Sequence, residues 1–104
     1  MLTTAKSIDH ETIAKEIRWA SPLVCGVELQ RVDGGWEAHL TFDPAMVRAR
    51  AGQQGIRDRS VAAAAGDPRV RKALEQAIRR ANARLGPERQ IVRHLVVVEA
   101  LLNS

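Results

Sequence analysis

The sequence predicts a small α+β domain, with a mostly antiparallel sheet formed by a hairpin and a C-terminal strand and with helices packed on it. Three observations lead there: helical apolar spacing along residues 70–85, a period of two along residues 27–42, and a β-branched run from Ile91 to Val98. A chain of 104 residues, 45% hydrophobic and 27% charged, fits a single domain over 1–104 with one modest core.

The elements follow in order. Asp9 can cap a first helix over residues 9–20, with Ile8 and Ile13 closing a hydrophobic staple across the cap. Ile13 and Ile17 share one face of this helix, and Pro22 ends it. Val27 and Leu29 alternate with Glu28 and Gln30, and Trp36, Ala38, Leu40 and Phe42 alternate with Glu37, His39 and Thr41. Asp33, Gly34 and Gly35 lie between the two runs and supply the turn of a β-hairpin with one buried face. Asp43 before Pro44 is a cap with proline at the first helical position, so a short helix is expected over 44–53, broken by Gly55. Residues 61–65 form a weak alanine-rich turn. Gly66, Asp67 and Pro68 then open the longest helix, whose stripe is Val70, Leu74, Ala77, Ile78, Ala81 and Leu85, and Gly86 with Pro87 stops it. The strand over 91–98 completes the domain.

Charge is unevenly spread. Residues 48–94 carry twelve Arg and Lys against Asp58, Asp67, Glu75 and Glu88, whereas the remainder of the chain is net acidic. An arginine-rich helix commonly just solvates its outer face. The same cations also suit an acidic partner, for which Arg71, Lys72, Arg79 and Arg80 are the candidate contacts. Nucleic acid is disfavoured, because Trp19, Trp36 and Phe42 are the only aromatic residues and two of them fall on the expected core face.

Chemistry-bearing residues are sparse. His10, His39 and His94 have no metal-ligand spacing, and the lone Cys25 can form no internal disulfide and reads as a buried structural thiol. No metal site and no catalytic residue is expected. The Gly34–Gly35 pair precedes a strand rather than a helix and lacks the lysine of a phosphate loop. The apolar run from Leu95 to Val98 is far short of the roughly 20 residues that span a bilayer, and with no leader visible a cytoplasmic location is expected. The strand at Ile91 to Val98 offers an edge through which a homodimer could form.

Read end to end, the chain resembles the small C-terminal lobe of the AMP-forming acyl-CoA synthetases, in particular the long-chain fatty acid branch of the adenylate-forming superfamily. Lys6, Ser7 and Ile8 stand where that family has lysine, asparagine and valine after a glycine pair. Residues 13–18 with Ser21, Pro22 and Leu23 look like its helix ending in Ser-Pro. The hairpin from Asp33 to Phe42, followed by Asp43 and Pro44, is similar to its Gly-Asp-Gly turn, second strand and Leu-Asp-Pro exit. Gly55, Asp67, Pro68, Val70 and then Ala81 to Leu85 resemble its long helix with an Asn-x-x-Leu end, and residues 88–95 its following strand.

The resemblance implies a lobe that swings against a large N-terminal adenylating lobe. Thr4, Ala5, Lys6 and Ser7 would then lie in the loop lining the ligand channel. Thr4 and Ala5 replace the family's glycine pair, Ala14 stands in place of its glutamate, and no segment up to Ser104 matches its C-terminal catalytic-lysine motif. The isolated chain is therefore expected to be inactive, as a fragment or truncated relative, with ATP, Mg and CoA implied only for a complete synthetase. Its expected partners are the large lobe, a carrier or another protein. The alternative is a non-catalytic or self-associating interaction module on the same fold.

Overall fold

A computed structural model describes residues 9–98. Helix α1 (His10–Arg18) leads to the hairpin of β1 (Val24–Val32) and β2 (Gly35–Phe42), then to α2 (Pro44–Arg50) with a 3-10 turn at Ala51–Gln54, α3 (Val61–Gly66), α4 (Pro68–Arg84), a 3-10 turn at Pro87–Arg89, and β3 (Ile91–Val98). This is an α+β arrangement, and its sheet has the order β1-β2-β3. β1 pairs with β2 antiparallel, whereas β3 pairs with β2 in parallel, so the expected hairpin and third strand form a mixed sheet. The reason is the crossover. A parallel pair needs a long connection, and α2 to α4 carry the chain from the end of β2 back to its beginning.

The helix starts are built as the sequence prescribes. Asp9, Asp43 and Asp67 each accept a hydrogen bond from the backbone two residues on, and Pro44 and Pro68 occupy first-turn positions. Ile8, the outer half of the expected staple, lies outside the described residues. α3 is a full helix rather than a weak turn, because the Ser60 hydroxyl accepts from the Ala63 amide and caps it. β1 begins three residues earlier than the alternation suggests: an irregularity between Val24 and Gly26 inserts Cys25 and resets the period.

One core joins the layers. Ala38, Leu40 and Phe42 on one face of β2 meet Ile13 and Ile17 of α1 and Leu74, Ile78 and Ala81 of α4. The α4 stripe from Val70 to Ala81 is buried as expected, with Leu85 half-buried at its end. At the far end of α4 two amide side chains fasten the crossover. Asn82 Oδ1 accepts from the Ile91 amide at 2.7 Å, and its Nδ2 donates to the Ile91 carbonyl at 2.9 Å. Gln90 Nε2 donates to the carbonyls of Asn82 and Leu85 at the end of the helix, the first of which also accepts from the Leu85 amide. The Gln90 carbonyl in turn accepts from the Trp36 amide at 2.9 Å. Gly35 must be glycine here, since its φ is +152° and an added Cβ would run into that same carbonyl oxygen.

Replacing Asn82 by Ala is expected to destabilise the domain by about 2–3 kcal/mol, because it removes two hydrogen bonds and strands both backbone groups of Ile91. Urea denaturation followed by circular dichroism measures this. A loss below about 0.5 kcal/mol, the usual range of surface substitutions, would show that β3 is placed without the clasp.

Candidate functional site

The cations singled out from the sequence lie on the side of α4 opposite its buried stripe. Residues three and four apart share a helix face, so Pro68, Arg71, Lys72, Glu75, Gln76 and Arg79 line one open groove of about 470 Å³. Arg80 is exposed but does not line it. The structure thus brings together Arg71, Lys72 and Arg79 and places Arg80 on the flank. The channel-loop residues Thr4, Ala5, Lys6 and Ser7 lie outside the described residues.

The sheet face turned away from the helices carries a second polar group. Strand alternation directs Glu37, His39 and Thr41 there, and pairing with β3 sets Arg93 beside Glu37, Leu95 beside His39 and Val97 beside Thr41. Glu37 is only 8% exposed. One carboxylate oxygen lies 2.7 Å from His39 Nε2, and the other is bound by Arg93 Nε. The hydrogen bond from the His39 ring, with that from the Arg93 guanidinium, holds the Glu37 carboxyl below the usual carboxylate range. A paired glutamate and histidine can serve acid–base chemistry. Here both glutamate oxygens are engaged, which makes the group a polar tether from β2 to β3.

Cys25 is half-buried in β1, and its thiol donates to the Thr41 carbonyl at 3.3 Å. His10 packs edge-on against Trp36 with ring centroids 4.3 Å apart. Among the described residues no three His, Cys, Asp or Glu side chains are grouped to hold a metal, and no helix is long and apolar enough to cross a membrane. β3 is an outer strand of the described sheet and exposes Val92, Leu95, Val97 and Val98.

Two features of the structure are not legible in local sequence. Glu37 and His39 stand two apart on one strand face, a visible signal, but their link to Arg93 depends on a strand pairing 56 residues distant. Trp19 falls off the Ile13 and Ile17 stripe, and it is 75% exposed. No protein-family model, curated protein or solved structure matches this chain.

Because the folded state holds Glu37 ionised more readily than the unfolded chain does, its contribution is present above the ordinary value of 4.5 and is lost as pH falls through the lower folded value. Glu37→Gln is therefore expected to flatten the fall in stability on acidification below pH 4.5. Thermal melts of both proteins at stepped pH test this, and parallel curves would remove Glu37 from the acid response.

Proposed function

We propose that the chain acts as a non-catalytic small lobe of the kind that closes on the large adenylating lobe of an AMP-forming acyl-CoA ligase. One observation carries this reading: within the described residues, several of the segments on which the resemblance rests fall at element boundaries. Ser21 and Pro22 follow α1, Asp33 to Gly35 turn the hairpin, Asp43–Pro44 and Asp67–Pro68 start α2 and α4, and Asn82 to Leu85 close α4. The order of elements thus supports a shared architecture, while Thr4 and Ala5 in place of the family's glycine pair support contact rather than chemistry. ATP, magnesium and CoA would be held by a complete synthetase, and a cytoplasmic location suits such a lobe.

Titration of the chain into the large lobe of a long-chain acyl-CoA ligase from the same source, freed of its own small lobe, is expected to give saturable binding. The chain alone is expected to yield no acyl-CoA from ATP, CoA and fatty acid. Absence of binding overturns the lobe assignment, and product from the chain alone overturns its non-catalytic character.

A second reading is favoured by the convergence of Arg71, Lys72 and Arg79 on one groove: an interaction module whose basic helix face holds an acidic partner, such as the acidic surface of a carrier protein. Self-association through β3 belongs to the same reading and is supported by the exposed valines and leucine of that strand. Combined Arg79→Glu and Arg80→Glu is expected to weaken binding of an acyl carrier protein at least tenfold at low salt, in keeping with the several-kcal/mol cost of facing like charges. The melting temperature should stay within a few degrees, since neither residue belongs to the buried stripe. Unchanged calorimetric affinity would exclude this face.

A further inference from the structure

Where α1 ends, the chain leaves a large aromatic side chain uncovered. Trp19 follows the last residue of α1, two positions beyond Ile17, so the turn of the helix carries it away from the stripe that Ile13 and Ile17 bury. Pro22 then prevents the helix from continuing, and no later element among the described residues folds over the indole, which is 75% exposed. Among the described residues it is the most exposed large apolar side chain.

Trp19 is one wall of a cleft of about 310 Å³ that also includes Pro22, Val24, Met46 of α2, and the guanidinium-bearing Arg18 and Arg50. Arg18 and Arg50 are the last residues of α1 and α2. Cations at helix ends are favoured by the helix dipole, which accounts for an arginine at each position. It does not account for a tryptophan in the same cleft. Neither guanidinium has an acidic partner among the described residues, whereas Arg69, Arg84 and Arg93 do.

We propose that this cleft docks an acidic peptide segment of a partner protein, which sets an apolar side chain against Trp19, Pro22 and Met46 and its flanking carboxylates on Arg18 and Arg50. Three features select that occupant. Tryptophan, arginine and methionine are the residue types enriched at protein interfaces, and tryptophan and arginine carry much of the binding energy there. The unbranched, polarisable Met46 can reshape to fit an incoming side chain. Two unpaired guanidinium groups beside the apolar wall make the complement anionic at its edge and apolar at its centre. A nucleic-acid strand fits less well, because successive bases need successive stacking rings and Trp19 is the one aromatic ring among the residues that line the cleft.

The test is selection of random twelve-residue peptides on the full chain, followed by titration of the enriched peptides against the chain and its variants. Enriched sequences are expected to place Asp or Glu on either side of Leu, Ile or Phe. Their affinity should fall at least tenfold in Trp19→Ala and in Arg18→Glu with Arg50→Glu, and should be unchanged in Arg57→Glu, an exposed cation that lines neither this cleft nor the α4 groove. Thermal melts verify that these surface variants remain folded, and Trp19→Phe, which retains a ring, should keep most of the affinity. The proposal is overturned if no peptide is enriched, if the enriched peptides are not acidic, or if they bind the cleft variants as well as the native chain. It is equally overturned if a twelve-residue oligouridylate binds more tightly than any peptide and is the ligand that the same variants lose.

Discussion

The amides of Asn82 and Gln90 hold the junction on which the rest of the fold depends. A hairpin fixes the register of its strands through its own turn, but a strand that returns in parallel after a long crossover has no turn to align it. β3 is such a strand. Asn82 engages both backbone groups of Ile91, the first residue of β3, from the last turn of α4. Gln90 closes the carbonyls at the end of that helix and presents its own carbonyl to Trp36 at the start of β2. The end of the long helix and the starts of the two parallel strands are thereby joined at one place, and the absence of a side chain on Gly35 lets them meet. Without this anchor, a one-residue slip of β3 would turn Arg93, Leu95 and Val97 toward the core and Val96 away from it.

How much of this was legible in the sequence follows from how local each cause is. The caps at Asp9, Asp43 and Asp67, the turn at Gly34 and Gly35, and the α4 stripe each depend on residues within a few positions, and these elements stand where the sequence puts them. The direction of β3 depends on where the crossover delivers it, which no short window contains. Cys25 was invisible as an inserted residue because alternation alone cannot distinguish a bulge from the loop before a strand. Burial of Glu37 was hidden for the same reason: its polarity suggests a solvated face until Arg93 arrives from the neighbouring strand.

The candidate surfaces divide along the same line. Arg71, Lys72 and Arg79 are related by the helical repeat, so their convergence could be read directly from spacing, and Arg80 departs because one further residue rotates it out of the groove. The cleft at Trp19 unites the ends of two helices about thirty positions apart in the chain, so only the fold brings its parts together. The off-stripe position of the tryptophan was the one local sign.

Asn82 bears on what the resemblance to ligase small lobes can carry. It belongs to the Asn-x-x-Leu segment that is one point of the likeness, and in the structure its side chain is occupied with the backbone of Ile91. Asp43, Pro44, Asp67 and Pro68 are likewise occupied in starting helices. Residues of this kind are required by an architecture whatever the chemistry performed on it, so the likeness speaks first for the scaffold. Chemistry in such a scaffold rests on its loops, and in the loop that the resemblance places nearest a ligand the paired glycines are Thr4 and Ala5. A glycine pair lets backbone approach a ligand closely, and a Cβ on each residue takes that room away. The cations of this domain stand instead on its outer faces, on α4 and at the ends of α1 and α2.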